Sequence, residues 1–67
     1  MKKIEEMTRH EILDKLLEDG FSIDPGDAAE VSLTIQQAAR IGALVWTPTR
    51  IVSTMHTRPL NITRSSE

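Results

Sequence analysis

Apolar side chains in the first third of the chain recur at helical spacing. Ile12, Leu13, Leu16 and Leu17 form one stripe. The residues before it, Thr8-Arg9-His10-Glu11, make a capping box. In that motif the threonine hydroxyl accepts the amide proton three residues on, and the glutamate reaches back to the threonine amide. Met7 and Ile12 stand where a hydrophobic staple closes over such a cap. Gly20 supplies a left-handed stop, after which Phe21 can fold back on Leu16. The spacing predicts a helix over about 8–19. Ile4 falls on the opposite side from the stripe, so residues 1–6 read as a separate, poorly ordered leader.

Asp24-Pro25-Gly26-Asp27 is a second helix start, with an acid at the cap and proline at the first helical position. Beyond it Ala28, Val31, Ser32, Ile35, Ala38, Ala39 and Gly42 share one face about 120° wide at 100° per residue. The spacing predicts a helix over about 25–41. Its inner face of small residues lets a neighbouring backbone come close. Leu33 and Ile41 lie off the stripe and give this helix a second apolar edge.

Past Gly42 the chain turns β-branched: Ala43-Leu44-Val45-Trp46, then Thr47-Pro48-Thr49, then Arg50-Ile51-Val52-Ser53-Thr54-Met55. The stretch 43–57 reads either as a hairpin or as a helix capped at Thr47, and its threonines favour the hairpin. From His56 onward the chain reads as an extended, flexible tail, poorly ordered over 61–67. The expected fold is mostly α: a single domain over 1–67 with two packed antiparallel helices, a C-terminal hairpin and the tail.

Composition narrows the function classes. The 67 residues include no cysteine, which excludes disulfides, thiolate zinc sites and iron–sulfur clusters and fits a cytoplasmic setting. No apolar run approaches the length of a membrane span. His10 and Asp14 stand one helical turn apart, but two ligands do not make a metal centre, and a solvated helix face explains them better. The acids Glu18, Asp19, Asp24 and Asp27 lack the spacing of a calcium loop. Neither a nucleophile elbow nor a glycine-rich phosphate loop is present, so no catalytic residue, cofactor or small-molecule substrate is expected, and the reading is non-enzymatic.

Two binding functions remain. Leu33, Ile41, Leu44, Trp46, Ile51, Val52 and Met55 offer more apolar surface than one pair of helices hides. A cytoplasmic regulatory protein acting through protein–protein contact, as a homodimer or with another protein, is the leading expectation. Of these residues Leu33, Ile41, Leu44, Trp46, Ile51 and Met55 are its candidate interface, with Trp46 as anchor. The second expectation is a small winged-helix or helix-turn-helix-like DNA-binding regulator. There Gln36, Gln37 and Arg40 would reach base edges, and Arg50 and Arg58, with Thr47 and Thr49, would reach phosphates. Net charge bears on both readings. The overall −2 divides into −5 over residues 1–33 and +3 over residues 34–67. Such polarity suits head-to-tail contact between copies, whereas the acidic half repels nucleic acid.

Overall fold

The structure is a computed structural model and describes residues 2–64. The chain opens with a single 3-10 turn, Ile4–Glu6, followed by helix α1, Arg9–Glu18. Thr8 caps α1 as its sequence requires. The Glu11 amide donates to Thr8 Oγ1 at 3.3 Å and the Thr8 amide donates to Glu11 Oε1 at 2.8 Å. At the other end Gly20 takes φ +91°. The Phe21 amide then donates to the Leu16 carbonyl, and the Gly20 amide to that of Leu17, which satisfies the last turn's carbonyls.

The second helix starts later than its sequence suggests. Pro25–Asp27 form a 3-10 turn, and helix α2 spans Ala28–Arg40. Neither Asp24 nor Asp27 caps a helix amide with its side chain. Asp27, at φ −103° and ψ −4°, is the joint between the two helical forms. The far end repeats the device that ends α1. Gly42 sits at φ +72°, with the Ala43 amide bonded to the Ala38 carbonyl and the Gly42 amide to that of Ala39.

The hairpin reading of 43–57 holds. Strands β1, Leu44–Trp46, and β2, Arg50–Ser53, pair antiparallel, with Leu44 opposite Ser53 and Trp46 opposite Ile51. Thr47 fixes the turn, its Oγ1 accepting from the Arg50 amide at 3.0 Å. The chain then departs from expectation. Leu60–Thr63, read as part of a flexible tail, form a third strand, β3, antiparallel to β2. The domain is therefore α+β, not mostly α, with a sheet in the order β1-β2-β3. β2 has a paired neighbour on both sides, so the alternating Leu60 and Ile62 have an apolar surface to cover. Residues 65–67 of the expected tail, and Met1 of the leader, lie outside the described residues.

Alternation along the strands divides the sheet into two faces. Leu44, Trp46, Ile51, Leu60 and Ile62 point toward the helices, while Val45, Arg50 and Asn61 point away. The core is Ile12 and Leu16 from α1, Phe21, Ile35 from α2 and Ile51 from β2, all essentially without exposure. Ala38 is buried as well, so the small-residue face of α2 is the packed one. The buried hydroxyls are satisfied internally. Ser32 and Thr34 donate to the Ala29 and Glu30 carbonyls of their own helix, and Ser53 donates to the Arg58 carbonyl. The opening turn is held too, because Gln36 Nε2 donates to the Met7 carbonyl at 2.8 Å. Among the described residues, no helix is long and apolar enough to cross a membrane.

Candidate functional site

Trp46 is half-buried and fastens β1 to the end of α1. Its indole N–H donates to Asp19 Oδ2 at 2.8 Å, and its ring meets Phe21 edge-on at a centroid distance of 6.2 Å. Lys15 Nζ lies 5.1 Å from the ring centroid and 3.8 Å from Asp19. Cation, indole and carboxylate together seam β1 to the end of α1.

The rest of the candidate interface is scattered in the same way. Ile51 is wholly buried and has no surface to offer a partner. Leu44 packs against the core, and Met55 is half-buried beyond β2. Only Leu33, at 37% exposed, and Ile41, at 67%, stand open. The candidate nucleic-acid residues are scattered too. Gln36 is committed to the Met7 carbonyl, and Arg58 forms an ion pair with Glu30. Arg50 is exposed on the outer face of the sheet. Gln37 is half-buried and Arg40 exposed on the solvent side of α2.

What the structure does bring together is two hollows, each lined by residues of both helices. One is a pit of about 150 Å³ lined only by apolar residues: Leu13, Leu16 and Leu17 from α1, Ile23 from the connection, and Ala28 from α2. Leu17 stands at its edge, 66% exposed. Arg9 of α1 and Ala29, Glu30, Leu33 and Gln36 of α2 line the other, wider hollow. Arg9 at the start of α1 thus lies beside Ala29–Gln36 of α2, and the end of α1 lies beside Ala28. Sequence reasoning missed Leu17. The clue is the width of the α1 stripe, because Ile12 and Leu16 already fill the core and leave Leu13 and Leu17 at the edge.

Glu11 stands in the first turn of α1, within reach of the Thr8 amide and the Lys2 ammonium. The Thr8 amide, and then the Lys2 ammonium, hold its carboxyl below the usual value. Lys2 Nζ lies 3.1 Å from the Glu11 carboxylate. No cluster of three or more His, Cys, Asp or Glu among the described residues can hold a metal ion. A hollow of about 530 Å³ between Asp24, Asp27, Val31 and Asn61 is lined by Ser22 but by no histidine to activate it. Comparison with family models, with curated proteins and with solved structures gives no match.

Proposed function

We propose that this chain is a small non-enzymatic regulatory domain that works through protein–protein contact, as a homodimer. One observation carries the reading: Leu17 and Leu33 are exposed, each at a hollow lined by both helices, and neither belongs to the buried core. Single exposed aliphatics are common on any surface. Two of them on one helix pair, one at a concavity with no polar lining residue, offer apolar surface of the kind that a partner covers. The anchor is therefore the helix pair, and Trp46 contributes to stability instead.

A DNA-binding role draws support from Gln37 and Arg40, which reach solvent on the helix that precedes the hairpin. Against it, the neighbouring helix carries Asp14 and Glu18 exposed, and these repel phosphates. Light scattering of the chain, alone and with duplex DNA at low and moderate salt, separates the two. A mass of two chains that is indifferent to DNA supports the proposal. A monomer that binds DNA with a steep salt dependence overturns it.

A further inference from the structure

We propose that two copies pair helix face to helix face, with their α2 helices antiparallel about Leu33, so that each copy's Arg40 lies over the other's Leu17 pit. This rests on the homodimer reading and specifies its surface. Ala29, Leu33, Gln37 and Arg40 follow one another at intervals of four, four and three along α2, so they share its outer side. Ala28, at the pit, and Arg40 are separated by about 18 Å at 1.5 Å per residue, and Leu33 lies near the middle of that length. A two-fold axis at Leu33 therefore carries the Arg40 end of one copy onto the pit end of the other.

Charge selects this arrangement. Asp14 and Glu18, both exposed, flank Leu17 on α1 at the pit end, and Arg40 is exposed at the opposite end. Lys2–Glu11, Lys15–Asp19 and Arg58–Glu30 are paired within the chain, whereas Arg9, exposed beside Leu33, is in none of these pairs. Among the described residues, no ion pair involves Asp14, Glu18 or Arg40. A copy turned by half a revolution brings opposite signs together at both ends simultaneously, whereas a parallel copy sets like against like. The contact is isologous and closes at two chains. Arginine suits the pit chemically, since its aliphatic stem can lie on Leu13, Leu17 and Ala28 while the guanidinium reaches the two carboxylates.

The test is sedimentation equilibrium over a range of concentrations, with folding of each variant checked by circular dichroism. The wild type should dimerise and Leu33→Asp should be monomeric. Arg40→Glu alone, and Asp14→Arg with Glu18→Arg, should each raise the dimer Kd by about tenfold or more. Combining all three substitutions should return it to within about threefold of wild type, because the reversed charges meet again across the axis. A wild-type dimer insensitive to Leu33→Asp and to the charge reversals refutes this face and leaves the homodimer standing. Weakening by the reversals without recovery in the combination refutes the antiparallel pairing. A wild type that is monomeric throughout removes both the pairing and the homodimer.

Discussion

α1 and α2 close with the same device, a left-handed glycine whose amide and the next bond back to the last turn, yet they begin by different means. α1 starts on a reciprocal side-chain cap between Thr8 and Glu11. α2 starts from a 3-10 turn with no side-chain cap, and its aspartates are left to the helix dipole alone. Burial runs the other way. α1 buries Ile12 and Leu16, while α2 buries Ser32, Thr34, Ile35 and Ala38 and touches both the other helix and the sheet. The difference separates two sources of helical order: local hydrogen bonding specifies where α1 starts, and tertiary packing holds α2 in place.

The largest effect that probes this contrast is in α2. Ile35→Ala should destabilise the domain by about 2–5 kcal/mol, since it empties a fully enclosed site. Leu17→Ala, on the stripe of α1 but exposed, should cost well under half of that, and urea midpoints measure both. Equal losses would mean that Leu17 is as enclosed as Ile35, against its exposure on the surface of α1.

Next come the two glycines. Gly42→Ala should cost about 1 kcal/mol for its left-handed backbone, in open space. Gly20→Ala should cost about as much, for the same left-handed backbone, because the group its added Cβ would meet is the movable end of the exposed Arg64 side chain. Adding Arg64→Ala to Gly20→Ala should therefore change the loss little. Thermal midpoints resolve these losses, as about 1 kcal/mol corresponds to a shift of about 4–8 °C in a domain of this size.

Smaller again is the contrast at the helix starts. Thr8→Ala should lower stability by about 1 kcal/mol, and Asp27→Ala by only a few tenths, since Asp27 makes no capping bond. The smallest effect is pH-dependent. The Glu11 carboxyl is held below its ordinary value in the folded chain, so its ionised form is favoured by folding. That contribution is present above the unfolded value and is lost as pH falls through the lowered, folded one. Wild type should therefore lose more stability than Glu11→Gln on acidification across this window. Parallel losses in urea titrations at neutral and acid pH would show that the box does not depend on the charge.

What could be read from the residues follows the same division. Thr8, Glu11, Gly20 and Phe21 act within a few positions of one another, and the sequence pattern alone places them. The hairpin turn at Thr47-Pro48-Thr49 is equally local. β3 is hidden because Leu60-Asn61-Ile62-Thr63 alternates over four residues only and follows Pro59, and its partner β2 supplies the reason for its order. Trp46 reads as a surface anchor because Lys15, Asp19 and Phe21, the groups that enclose it, come from α1 and the turn after it. Gln36 likewise has a partner remote in the chain, the Met7 carbonyl, that its own neighbourhood does not announce. The asymmetry of charge between the halves was visible at the outset. Where Asp14, Glu18 and Arg40 come to stand relative to one another was not, because that depends on how the two helices pack.

The seam at Trp46 also makes the molecule self-reporting. The chain holds one tryptophan and no tyrosine, so its intrinsic fluorescence comes from an indole that touches Lys15, Asp19 and Phe21 at the junction of sheet and helix. Its emission follows the docking of β1 on α1, whereas far-ultraviolet dichroism follows the helices themselves. Coincident transitions by the two signals would mark a domain that opens all at once. A fluorescence change that precedes the loss of helix would mark the sheet as the part that leaves first.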